Sequence, residues 1–315
     1  MTKKVLVAMG CSLGMMAMAF GGTAFAEENG QYKVGCSLTT ITDPIFADFV
    51  NIFTEQCDDL GWDLTLLSCD QDPQTQITQI ENMITSGIDA LIIYPADKNT
   101  MENICAEARE KGIKVLSWDE ELDNADMSWL VKNYDLGYII GQKAGEWINE
   151  KYDGSCEVAV LDYAMAPVIV ERANGIIDGI NETAPDAKIV AQDSAVSADV
   201  GMTVAENMLQ AHPDIKVFAC IGDGGGIGAN EALKAKGANL DDYGIFAADA
   251  SEEALAAIKN GEAFRMTVSL GSAKVFSDTM VNAVETMMTS DDYDKEIYKE
   301  AYPVTAENID EYLAQ

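Results

Sequence analysis

Residues 90–118 read ALIIYPADKNTMENICAEAREKGIKVLSW. Ala90–Tyr94 is an unbroken apolar run, the pattern of a strand covered on both faces. Asn99 can cap a helix that runs to Lys111, and Gly112 ends it. Lys114–Trp118 is a second apolar strand. Strand, helix, strand in so short a span is a βαβ unit, which forces the two strands to run parallel.

The same unit repeats outward in both directions. Tyr32–Leu38 reads as a strand, Pro44–Leu60 as a helix and Trp62–Ser68 as a strand. Pro73–Ser86 is a helix capped by Asp72, with Pro73 at its first position and Gly87 stopping it. Met127–Lys132 closes the first series. A second series begins with a helix at Leu136–Tyr152. It continues through strands at Glu157–Leu161, Lys188–Gln192, Lys216–Ile221, Gly244–Ala247 and Phe264–Leu270. Helices are expected between them at Pro167–Glu182, Asp199–Ala211, Gly226–Lys236 and Glu252–Asn260, with a long one at Ser272–Ser290. A short tail around Tyr302–Val304 ends the chain. Two such series predict an α/β protein of two doubly wound parallel-sheet lobes. No low-complexity linker separates them, so the lobes are expected to be joined by strands. The expected division is residues 31–132 with 270–300 in the first lobe, and 133–269 with 301–315 in the second.

The start of the chain reads differently. Lys3 and Lys4 precede an apolar run, Val5–Phe20, and small residues lead to Ala24-Phe25-Ala26. That is the pattern of a secretory signal peptide over residues 1–26, too short and too interrupted by Gly10, Ser12 and Gly14 for a membrane anchor. Cys11 follows Lys4 too closely to be a lipidation site. An extracytoplasmic, periplasmic-type location is therefore expected. Lys and Arg number 20 against 53 Asp and Glu. So acidic a chain repels nucleic acid and anionic membranes.

Six cysteines lie beyond residue 26: Cys36, Cys57, Cys69, Cys105, Cys156 and Cys220. None has CxxC spacing, and the single histidine, His212, precedes Pro213 at a helix end. Metal and triad chemistry are unsupported, and no cofactor is expected. Export permits disulfides, and spacing leaves open a pair such as Cys36 with Cys69 against simple burial of small apolar thiols.

Ligands of open parallel sheets bind beyond the carboxyl ends of the strands. The residues that follow the strands are mostly acidic: Asp43, Asp70, Asp97, Asp119 with Glu120, Asp162, Asp223 and Asp249. Carboxylates are strong acceptors for vicinal hydroxyls. Helix capping is the other use of such residues, and it suits Asp70 and Asp97 better than Asp119. Phe46, Tyr94, Trp118, Trp129 and Tyr163 lie near the same edges and can stack on a sugar face or pack the core. Arg172 stands out in a cation-poor chain, and its fork can bridge two hydroxyls or pair with a neighbouring acid. Gly222-Asp223-Gly224-Gly225-Gly226-Ile227-Gly228 follows a strand, but Ile227 breaks the dinucleotide pattern and no basic residue is nearby. Its glycines are expected to let backbone approach the ligand or the opposite lobe. No pair among so many acids stands out as a glycosidase couple.

Taken in order, these stretches resemble the ribose/xylose/galactose-type periplasmic binding proteins, a fold also akin to the ligand-binding part of lac-repressor-type regulators. The resemblance is carried by Thr42-Asp43-Pro44-Ile45-Phe46, Ile93-Tyr94-Pro95-Ala96-Asp97, Trp118-Asp119, Asn133-Tyr134 with Gly137, Glu171-Arg172 with Gly175, Gly222-Asp223 and Ala248-Asp249. It implies two lobes on three hinge strands, near Lys132–Asn133, Val268–Gly271 and Glu300–Val304, closing on a sugar or polyol. It implies Asp43, Phe46, Trp118, Asp119 and Glu120 as ligand residues of the first lobe. From the second lobe it implies Asn133, Arg172, Asp223 and Asp249. It implies a monomer, not an enzyme, delivering solute to an ABC transporter permease, or signalling through a chemoreceptor or sensor kinase. Three positions depart from the family pattern. Gly222 replaces a usual asparagine, Glu120 reverses the charge of the arginine found in ribose-type members, and Leu270 replaces a hinge-end glutamine. Plain ribose is disfavoured, and an aminated or cationic ligand becomes conceivable.

Overall fold

The computed structural model describes residues 32–42 and 44–314. The signal peptide read at residues 1–26 and the ligand role read for Asp43 lie outside the described residues. The first series forms β1 (Lys33–Leu38), α1 (Pro44–Asp59), β2 (Asp63–Ser68), α2 (Pro73–Ser86), β3 (Ala90–Ile93), α3 (Lys98–Glu110), β4 (Lys114–Trp118) and β5 (Met127–Leu130). The second forms α4 (Asn133–Tyr152), β6 (Glu157–Asp162), α5 (Pro167–Thr183), β7 (Lys188–Ser194) and α6 (Ala198–Ala211). It continues as β8 (Ile215–Cys220), α7 (Asp223–Ala235), β9 (Gly244–Ala248), α8 (Glu252–Lys259) and β10 (Phe264–Ser269). The chain then returns through α9 (Ala273–Thr289), β11 (Glu296–Tyr298), β12 (Tyr302–Thr305) and α10 (Ile309–Tyr312).

Two six-stranded sheets result, ordered β11-β5-β4-β3-β1-β2 and β12-β10-β9-β8-β6-β7. Every described pairing is parallel except β10 with β12. The central strands β1, β3, β4, β8 and β9 are almost wholly buried, as their unbroken apolar runs require. The chain passes between sheets after β5, after β10 and between β11 and β12. α9 packs its Phe276 and Met280 into the core of the first sheet with Val34, Phe49 and Trp118. β12 and α10 contribute Val304 and Ile309 to the second.

Local chemistry explains most element ends. Asp72 accepts from the Gln74 amide at 3.1 Å, and Gly87 closes α2 in the left-handed region. The start of α3 is corrected: Asp97, not Asn99, is the cap, accepting from the Thr100 amide at 2.8 Å. α4 begins three residues earlier than expected, because it starts directly off the crossing, with Leu136 N–H donating to Lys132 O. β11 was not foreseen. Three residues show too little alternation to read as a strand until β5 offers an edge for them.

Gly224 and Gly228 of the 222–228 segment have another role than the one expected. A Cβ at Gly224 would meet Val196 O at 2.3 Å, and one at Gly228 would meet Ala198 O at 2.3 Å. They let α7 lie against α6 and the segment leading into it, not against a ligand. All six described cysteines are free. The strand register sets Cys36 opposite Leu66 rather than Cys69. Burial pushes the thiols of Cys57 and Cys105 up to about 12 and that of Cys156 up to about 11, so they behave as small apolar groups.

Candidate functional site

Both sheets point their carboxyl ends at one gap. From the first come Thr39, Gln71, Tyr94–Ala96, Asp119 and Glu120. From the second come Asn133, Val168, Ile169, Arg172, Asp249 and Leu270. They enclose a cavity of about 500 Å³. A second space of about 390 Å³ shares Asp119, Glu120, Val131, Asn133 and Val168 with it and opens toward Lys98, Glu171 and Glu296.

The first-sheet wall is set by tight turns. Asp119 adopts φ 62, in the left-handed region, which turns the chain sharply off β4. Ser117 Oγ donates to Glu120 O at 2.5 Å and holds that turn. Gln76, fully buried on α2, donates to Tyr94 O at 2.9 Å and accepts from the Ala96 amide at 2.8 Å. It pins the Tyr94–Ala96 wall, a role with no sequence signal beyond a lone glutamine in an apolar stripe.

The second-sheet wall rests on two helices. Arg172 on α5 donates through Nε and Nη2 to Asn133 Oδ1, at 3.0 and 2.7 Å, and through Nη1 to Ile221 O at 2.6 Å. Three of its five N–H groups are used, and two remain for a ligand. Burial lowers its pKa, opposed by Asp249 and Asp119. Asn133 and Arg172 meet because glycines let α4 and α5 approach closely: a Cβ at Gly137 would lie 1.9 Å from Arg172 O. Gly137 and Gly141 stand at i, i+4 spacing on α4, the one signal in the chain that could have announced this contact.

Lys299, between β11 and β12, was not foreseen. Its ammonium lies 2.7 and 2.9 Å from the two Asp119 oxygens, with the side chain 4% exposed. It also lies 4.7 Å from the ring centre of Trp129, 5.0 Å from Phe276 and 5.6 Å from Trp118. Burial lowers its pKa, and Asp119 opposes that.

Asp249 follows β9 and lines the cleft. Desolvation by the protein around it raises its carboxyl to about 6, against Arg172, the Asp223 amide and Lys299. A Cβ at Gly222 would come 2.8 Å from Asp249 Oδ2. The missing asparagine side chain therefore leaves room for this carboxylate.

Asp119, Glu120, Asn133, Arg172 and Asp249 thus share one cavity, and Phe46, Trp118 and Asp223 do not line it. Trp118 is corrected from ligand contact to core. It has no exposed surface and stacks under Tyr94 at 5.5 Å, with Phe49 and Phe276 at its edges. Phe46 packs 5.7 Å from Tyr94, so Tyr94 is the aromatic face toward the cavity, backed by both. Asp223 is 2% exposed, and its oxygens are taken by Thr267 Oγ1 at 2.7 Å and by the amide and hydroxyl of Ser251 at 2.8 and 2.9 Å. It ties α7, α8 and β10 together.

Burial and Asp249 raise the Asp223 pKa to about 7, outweighing those three donors. Between the ordinary carboxylate value and about 7, the folded chain holds a proton that the unfolded chain has lost. Stability therefore falls as pH rises through that window and levels off above it. Between pH 5 and 7 the loss is expected to reach about 2 kcal/mol. Urea midpoints at the two pH values should differ less in Asp223→Asn than in the wild type. Equal differences would remove Asp223 as the source.

The profile of the periplasmic binding protein domain matches residues 34–285. The chain is 27% identical to the ribose import binding protein of Bacillus subtilis (strain 168) over 232 residues, 73% of each chain. A solute-binding protein from Actinobacillus succinogenes 130z with bound D-allose superposes with TM-score 0.77 and 22% identity, covering 89% of this chain and 100% of that one. One from Bacillus halodurans C-125 with bound myo-inositol gives TM-score 0.76 and 24% identity, over 91% and 99%. With a match that runs through both sheets, the chain belongs to the periplasmic binding protein domain family, a family of binding proteins rather than enzymes.

Proposed function

We propose that this chain is the extracytoplasmic solute-binding protein of an ABC importer and captures a monosaccharide or related polyol between its two lobes. The observation that carries the reading is the single cavity where Asp119, Asn133, Arg172 and Asp249 converge from both sheets beside Tyr94. Its polar groups combine acceptors with the free N–H groups of Arg172, which suits hydroxyls that both donate and accept. Tyr94 offers a ring to the apolar side of a pyranose. Contacts made from both lobes favour the state in which the lobes are closed, and flexing at the three crossings reaches it. The transporter permease then reads the closed form. The similarity to a ribose import binding protein, and the structures holding D-allose and myo-inositol, support a hydroxyl-rich ligand.

Calorimetric titration of the folded protein with pentoses, hexoses, inositols and their amino derivatives should find at least one ligand of micromolar affinity. Arg172→Ala should weaken that ligand about tenfold to a hundredfold, the worth of one or two charged hydrogen bonds. Silence across the set, from protein with intact circular dichroism, would overturn the reading.

A further inference from the structure

The charges of the cleft do not cancel. Asp119 is matched by Lys299, 2.7 Å behind it. Arg172 stands chiefly in the field of Asp249. Glu120 has no cation in contact, only the field of the exposed Lys98 on the same space. It lines both spaces of the cleft, yet among the described residues its carboxylate forms no salt bridge and accepts no hydrogen bond. Its burial, which Lys98 opposes from an exposed position on the first turn of α3, already disfavours the charged form.

Closure of the lobes expels water from this space, and a carboxylate answered only by the solvent-screened field of Lys98 then loses its hydration with little in return. A sugar hydroxyl returns one neutral hydrogen bond. An ammonium returns a full opposite charge and three N–H donors. A metal ion would also supply charge, but the described residues contain no group of three His, Cys, Asp or Glu side chains placed to hold one.

We propose that the preferred ligand is an aminated sugar or aminated polyol whose ammonium seats on Glu120, while its hydroxyls take Asp249, Asn133 and Arg172. This rests on the sugar-binding reading above and adds the charge of the ligand to it.

The test is paired titration: D-glucosamine against D-glucose, D-galactosamine against D-galactose, and an aminated inositol against myo-inositol, in wild type and Glu120→Gln. At least one amine should bind about tenfold or more tightly than its hydroxyl parent, the difference between a charged and a neutral hydrogen bond. Glu120→Gln should abolish that preference, bringing the amine's affinity down to that of its parent in the same variant. Parents that bind as tightly as their amines would overturn the proposal and leave the sugar-binding reading standing. An amine preference that survives Glu120→Gln would overturn the seat on Glu120. No binding by either series would remove both readings at once.

Discussion

Lys299→Met is expected to lower the unfolding free energy by about 3–5 kcal/mol, the usual result of removing one partner of a buried ion pair. Methionine keeps the length and packing of the side chain, so the loss isolates the charge. In the wild type the ammonium meets both Asp119 oxygens. Without it, that carboxylate, 25% exposed, loses its contacting counter-ion and keeps only the field of Arg172. The double variant Lys299→Met with Asp119→Asn removes both charges and should recover most of the loss. Denaturant unfolding of these three proteins and of Asp119→Asn alone gives the coupling directly. A single variant within about 1 kcal/mol of wild type would refute the charge assignment, as would a double variant no more stable than Lys299→Met. Lys299 also sits in the third crossing between the sheets. Its pair therefore ties the cavity wall at Asp119 to that crossing.

Gly141→Ala should destabilise by about 3 kcal/mol, the upper range for forced overpacking. Helix propensity alone predicts the opposite sign, a gain of about 0.5–1 kcal/mol for alanine over glycine. The structure decides between them. A Cβ at Gly141 would lie 2.1 Å from Ile176 O, and one at Gly175 would lie 2.1 Å from Tyr134 O. Both obstacles are helix backbone, so α4 and α5 would have to separate. Separation draws Arg172 away from Asn133, so ligand affinity should fall with stability. Thermal melts and titration with a ligand found for the wild type would read both. A stabilised variant would mean that the helices are not in backbone contact.

Some of the site was visible in the chain before folding. Asp119, Glu120, Asn133, Arg172 and Asp249 all stand at strand exits or near the helix starts that follow, and in a parallel sheet those positions face one side. Trp118 and Asp119 are neighbours with opposite fates. Trp118 ends the strand with its ring in the core, and the positive φ of Asp119 turns the chain away from it. Composition cannot report that turn, since both residue types suit a sugar site. Asp223 has the same local context as Asp249, and only the packing of Ser251 and Thr267 makes it structural.

The order of strands and helices up to α9, the two parallel sheets and the acidic character of the cleft follow from the amino-acid sequence by itself. Apolar periodicity and turn chemistry act between residues close along the chain, so their outcome is written locally. Which acids keep a free carboxylate, and which cation answers which acid, was decided by the tertiary structure. Lys299 and Asp119 are 180 residues apart, and Glu120, next to Asp119 in the chain, forms no salt bridge among the described residues. Charge pairing depends on distances of a few ångströms across the fold, and no local pattern carries them.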